Sequence, residues 1–226
     1  MNIEILYEDN HLLFVNKKAG LLTQPTPLVS KSLEEEAKLY IKEKYQKSGA
    51  VFLHAIHRLD RLASGIVLFA KSSKALSRVN ETLRGQGIKK EYLAIVEGQV
   101  KIERRTLEHF LVHDEHKARV ATSNERGAKR STLTYETLKA EKDKTLLRIA
   151  LTTGRYHQIR AQLAAISHPI LGDEKYGSKT PFFNDAIALH HFHMEFPHPV
   201  SKEIISVKAA PPAFWPKELL TGLNIF

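Results

Sequence analysis

The sequence contains no cysteine, which excludes disulfides, thiolate zinc sites and a cysteine nucleophile at once. It also lacks any apolar run long enough to span a membrane. Its opening, MNIEILYEDN, carries acidic residues where a secretory signal would need a basic end and a continuous apolar stretch. A cytoplasmic location with no membrane partner is the expectation. No internal repeat, low-complexity tract or Pro/Ser-rich linker divides the chain, so one domain over residues 1–226 is expected. Negative charge is in short supply as well: 25 Asp and Glu face 34 Lys and Arg, a formal charge of +9 and a pI near 9.6. A basic protein of this kind attracts polyanions, either nucleic acid or an anionic membrane surface.

What is present suffices for a sizeable core. Hydrophobic residues make up 42% of 226, and the charged fraction of 26% is that of an ordinary globular chain. Residues 3–17 read as two strands around a tight Glu8-Asp9-Asn10 turn. Ser32 with Glu35 resembles a capping box, and acidic Glu34, Glu35 and Glu36 followed by basic residues predict a helix to about Lys47. A buried strand follows at 65–71. Leu76, Val79 and Leu83 then predict a helix capped by Gly85. Branched and aromatic runs predict strands at 92–96, 105–112, 117–121, 133–138 and 146–151. A helix is expected from Arg155 to before His168-Pro169, and two late strands at 187–196 and 203–207. The fold class is therefore α+β: a largely antiparallel central sheet flanked by helices, with a catalytic cleft.

Three segments carry candidate chemistry. In HAIHRLDRLASGIVLFAK, residues 54–71, charge sits directly before a buried strand. If 57–60 is extended, Arg58 and Asp60 share a face, and the guanidinium favours the ionised carboxylate. A structural ion pair explains the same spacing. Ser64-Gly65 permits close backbone approach or serves as a simple loop. TTGRYHQIR, residues 152–160, places Arg155 and His157 at a predicted helix N-terminus, suited to phosphate or to plain solvation. In KKEYLAIVEG, residues 89–98, Tyr92 either packs or offers a ring for stacking and a hydroxyl for proton transfer.

Taken together and in order, these segments resemble the RluA-type RNA pseudouridine synthases. HRLDRLASG is similar to that family's HRLDxxTSG signature. KKEYLAIVEG, TTGRYHQIRAQLAAISHPILGD and LHHFHMEFPHP follow in the family's order, and EDNHLLFVNKKAGL resembles its opening strand pair. The resemblance implies a single catalytic domain without an N-terminal S4-like domain, isomerising uridine to pseudouridine in tRNA or rRNA stem-loops as a monomer. It implies Asp60 as nucleophile, Tyr92 as active-site tyrosine and Arg160 as the ion-pair partner of Asp60. Arg58 would help hold the extruded nucleotide, and Arg61, Arg155, His157, Lys89 and Lys90 would contact RNA. An isomerisation needs no redox group, metal or phosphate donor, so no cofactor is expected. Ala63 stands where the family usually has Thr, Lys18 where Pro is common, and His191 where a small residue is usual.

Other readings predict different residues. A non-catalytic RNA-binding module would have lost Asp60 or Tyr92, and both are present. A carboxylate glycosidase needs a paired acid, for which Asp173 in LGDEKYG is the nearest candidate, with a turn role as the simpler explanation. HRLD without a glycine-rich loop, strand lysine or DFG-like motif is not a kinase site. His190, His191, His193 and His198 form no HExxH pattern, so no metal site is expected.

Overall fold

A computed structural model describes residues 3–84 and 88–223, and these form two compact units. The first comprises Met1–Lys89 with His191–Pro212, the second Lys90–His190 with Ala213–Phe226.

In the first unit, β1 (Glu4–Glu8) and β2 (Leu12–Lys17) pair antiparallel. Asp9 makes their turn, its Oδ1 accepting from the amides of His11 and Leu12, each at 2.7 Å. Helix α1 (Leu33–Lys44) starts at Ser32, whose Oγ accepts from Glu35 N at 3.3 Å. It stops three residues before the expected Lys47, where Gln46 turns left-handed. A two-residue strand, β3 (His54–Ala55), pairs with β4 (Ser64–Ala70), which also lines up antiparallel with β2 from Leu12↔Ala70 to Lys17↔Gly65. Helix α2 spans Ser73–Arg84. The expected Gly85 cap and the Leu83 side chain lie outside the described residues. The late strands are β10 (Leu189–Pro197) and β11 (Ile204–Lys208), paired antiparallel. Leu12 and Phe14 pack with Ile66, Leu68, Val79, Met194, Phe196 and Val207. Each fully buried side chain of this kind stabilises by about 1.5–3 kcal/mol. Glu8, at the end of β1, joins this core to α1: its carboxylate receives Lys44, Lys71, Tyr40 and Tyr45.

The second unit is built on five strands in the order β5 (Lys89–Glu97), β9 (Lys144–Leu151), β8 (Lys129–Glu141), β6 (Arg104–Asp114), β7 (Lys117–Ala121), each antiparallel to its neighbour. β8 runs beyond the expected 133–138 because an irregularity between Thr137 and Lys139 lets its pairing with β9 continue to Glu141. Helix α3 (Gln158–Ala165) packs Ala161 against Leu111 of β6 and Ala118 of β7. It begins three residues later than expected, because His157 sits at φ 49° and cannot continue a right-handed helix. A 3-10 turn at Glu174–Tyr176 and helix α4 (Lys217–Leu220) complete the unit.

Candidate active site

In the first unit, the residues between β3 and β4 carry Asp60. They rest on the chain that leaves β2. Leu59 N donates to Thr23 Oγ1 at 3.1 Å, and that hydroxyl donates back to Leu59 O at 3.0 Å. Ala63 N closes the turn onto Asp60 O at 3.1 Å, and Gly20 N donates to Arg61 O at 2.8 Å. Beneath the turn lies Lys17, only 1% exposed. Its ammonium donates to the carbonyls of Leu21 (2.7 Å), Lys18 (3.0 Å) and Arg61 (3.1 Å). Burial pushes the Lys17 amine down to about 7, and Arg61 adds to that, while the field of Asp60 opposes it. Asp60 is thus half-buried on a turn whose neighbouring carbonyls are pinned from below; Arg58 and Arg61 are exposed.

Gly65, directly after this turn, has φ 114°, and a Cβ there would lie 2.3 Å from the carbonyl oxygen of His191. Only glycine fits both the angle and the approach. His191 itself is fully buried, its Nδ1–H donating to Ile66 O at 2.7 Å, with its ring edge-on to that of His57 at 5.4 Å. His57 Nε2 in turn accepts from Leu68 N at 3.3 Å. The histidine standing at a usually small position therefore braces the strand behind Asp60. His193 meets Ser206 at 3.0 Å, and His198 Nε2 reaches Asp9 at 2.9 Å. Among the described residues no three His, Asp or Glu converge as metal ligands.

In the second unit, Tyr92 lies on β5 opposite Ile149 and is 7% exposed. Glu91 faces the other way and accepts from Arg148 Nε at 2.9 Å. Burial lowers the pKa of Lys90; Lys89, exposed and the last residue of the first unit's opening segment, lies 3.5 Å from Glu195 in that same unit. Arg160, on the first turn of α3, is almost fully enclosed. Its Nε and Nη2 grip the two carboxylate oxygens of Asp173 at 2.6 and 2.7 Å, and its guanidinium lies 4.8 Å over the Tyr176 ring. Asp173 does make a turn, its carbonyl accepting from Tyr176 N and Ser178 N. That turn is tethered to β5 by Glu97, whose Oε1 accepts from Ser178 Oγ, Lys179 N and Thr180 N at 2.7–2.8 Å.

The TTGRYHQIR segment owes its shape to Gln158. Its Oε1 accepts from Thr153 Oγ1 and Arg155 N, and its Nε2 donates to Thr132 O. Arg155 is left exposed, its Nε 3.5 Å from Arg130 O. His157 turns inward instead, its ring nitrogens 3.0 Å from Tyr176 Oη and Arg160 Nη1. Of the residues singled out in the sequence, the structure thus joins His157 to Arg160. Those the sequence reading missed are Lys17, Thr23, Gln158 and the carboxylate of Asp173. A buried-looking apolar run from Leu12 to Val15 leading into Asn16-Lys17 was the available signal for the first.

The family model for RNA pseudouridylate synthases matches residues 11–165. The chain belongs to that family. It is 35% identical over 216 residues to the dual-specificity RNA pseudouridine synthase RluA of Pasteurella multocida, covering 94% of each chain. An RNA pseudouridine synthase of Bacillus subtilis, YhcT, is 32% identical over 93% of this chain and 69% of its own length. Ribosomal large subunit pseudouridine synthase C of Escherichia coli K12 is 33% identical, and this chain spans 65% of its length. The fold is that of human RNA pseudouridylate synthase domain containing 4 (TM-score 0.78, 21% identity, covering 93% of this chain and 89% of that one). Domain containing 1 superposes with a TM-score of 0.74 at 23% identity over 96% and 86%. The protein is an RNA pseudouridine synthase of the RluA type, an enzyme of the isomerase class. No described helix is long and apolar enough to cross a membrane.

Proposed function

We propose that this synthase isomerises particular uridines in structured tRNA or rRNA, acting as a monomer in the cytoplasm, with residues 1–226 as one catalytic domain and Asp60 as nucleophile. The observation that carries the assignment is the construction around Asp60. A half-buried carboxylate stands on a turn held by Thr23, Gly20 and Lys17, inside the stretch that the family model matches. In the reaction the N1–C1′ bond breaks, a C5–C1′ bond forms, the C5 proton leaves and N1 gains one, so atoms and electrons balance without a co-reactant. Asp60 adds to C1′ or to C6 and is released at the end. Tyr92 takes the C5 proton, and Arg160 keeps the nucleophile charged.

Extruding the nucleotide costs about a few kcal/mol, which Arg58 offsets by holding it outside the stack. Arg61, Arg155, Lys89 and Lys90 contact phosphates, in keeping with a charge of +9. One relative is named for dual specificity and others for the large ribosomal subunit, which supports structured RNA of more than one kind as substrate. The test maps pseudouridines by chemical derivatisation and sequencing in RNA from cells with and without the gene. Sites that vanish with the gene and return with wild type identify the substrate; an unchanged map refutes the assignment.

A further inference from the structure

His157 occupies a constrained position. It stands at φ 49° immediately before α3, and Tyr156 stacks on its ring at 3.9 Å and 16°. Its Nε2 lies 3.0 Å from Arg160 Nη1, and its Nδ1 lies 3.0 Å from Tyr176 Oη. A guanidinium has donors only, so Nε2 accepts. The neutral ring then carries its proton on Nδ1 and donates to the phenol oxygen, which also accepts from Ala118 N at 2.7 Å. The phenol is itself held, since the same turn bears Asp173 and is tethered by Glu97.

The consequence falls on Arg160. Asp173 grips Nε and Nη2, and His157 meets the third nitrogen, Nη1. Two independent acceptors on different edges of one planar group define its orientation. We propose that His157 is a positioning residue: its unprotonated Nε2 holds Arg160 in the one orientation that serves the nucleophile. Both of its ring nitrogens face protein groups, so this role replaces the phosphate contact that the helix N-terminus first suggested. The inference rests on Arg160 serving Asp60.

The test compares His157→Leu, which removes the acceptor, with His157→Gln, whose Oε1 restores one. Both side chains are unbranched at Cβ and meet the same backbone strain. The readout is tritium release from [5-³H]uridine-labelled bulk RNA of cells lacking the gene. Filter retention of that RNA and the melting temperature of each variant accompany it. The expected result is a fall in turnover of about tenfold or more for His157→Leu at unchanged RNA retention and half-saturation. His157→Gln returns to within about threefold of wild type, with both variants melting alike. Equal losses in Leu and Gln, or wild-type turnover in Leu, overturn the proposal. So does lost RNA retention with turnover intact, which would make His157 an RNA contact. Arg160→Met separates the two levels. If it turns over like wild type, the reading of Arg160 itself fails; if it is inactive while His157→Leu is not, only the role of His157 fails.

Discussion

Lys17 donates to the carbonyl of Arg61 at 3.1 Å from beneath the turn that carries Asp60, and the field of Asp60 reaches the same buried amine. Lys17→Met removes the donor from three carbonyls, those of Lys18, Leu21 and Arg61. The expected effects are a loss of about 2 kcal/mol near pH 7 and turnover lower by about tenfold. The pH dependence is specific. The folded amine sits at about 7 and the unfolded one at 10.5, so between these values the unfolded chain holds a proton that the folded chain has released. Stability from this group therefore rises with pH across that window. Denaturant titrations from pH 7 to 10 should show the gap between wild type and Lys17→Met widening; a constant gap contradicts the buried amine.

Gly65→Ala sets a Cβ 2.3 Å from the backbone oxygen of His191 at a φ of 114°. Backbone cannot swing away as a flexible side chain does, so the loss should exceed about 3 kcal/mol. Insoluble expression, or a melting temperature many degrees lower, is the expected outcome. Near-wild-type melting would show that the two strands are not this close.

Asp173→Asn keeps the turn's shape but removes the charge that Arg160 grips on two nitrogens. Losing one partner of a buried ion pair costs about 3–5 kcal/mol. Thermal melts should report that loss, and tritium release should fall with it. A variant as stable as wild type would place the guanidinium elsewhere.

Glu8 makes a contrasting prediction. Its burial raises the carboxyl's pKa, but Lys44, Lys71, Tyr45 and Tyr40 together hold it down at about 2, against 4.5 unperturbed. Its contribution is therefore present above pH 4.5 and lost as pH falls toward 2. Glu8→Gln should lose about 1–2 kcal/mol at pH 7, after allowance for the exposed Lys44. Its acid denaturation should begin from a flatter slope between pH 4.5 and 2, and an unaltered acid limb would count against the hub.

Much of this fold is legible in the sequence because its elements are locally consistent. Asp9 turns a hairpin by accepting two amides, Ser32 caps α1, and alternating or continuous apolar runs mark β2, β4 and β5. The misses share a physical cause: each depends on a partner distant in sequence. The start of α3 is set by the left-handed His157, whose ring is held by Tyr176 nineteen positions on. Two-residue β3 exists only because β4 pairs with it. Among the candidate residues, Asp60, Tyr92 and Arg160 were singled out through ordered motifs, since each lies in a segment dense with charge beside apolar runs. Lys17 was not, because a strand-end lysine is ordinarily exposed and its burial depends on the turn 44 positions later. Asp173 was read as a turn residue, with a glycosidase's paired acid as the other reading, and its backbone does make a turn; its grip on Arg160 spans thirteen positions and leaves no local pattern.

The central claim is that Asp60 performs the chemistry, and the most direct measurement is single-turnover tritium release from [5-³H]uridine RNA by purified wild type and Asp60→Asn. The variant keeps the turn's backbone bonds and the same side-chain shape, so it should melt within a few degrees of wild type and retain RNA on a filter. The account predicts that it releases no tritium above the no-enzyme background. Release by Asp60→Asn at a rate comparable to wild type would contradict it, and would leave the turn built on Lys17 and Thr23 without the role assigned to it.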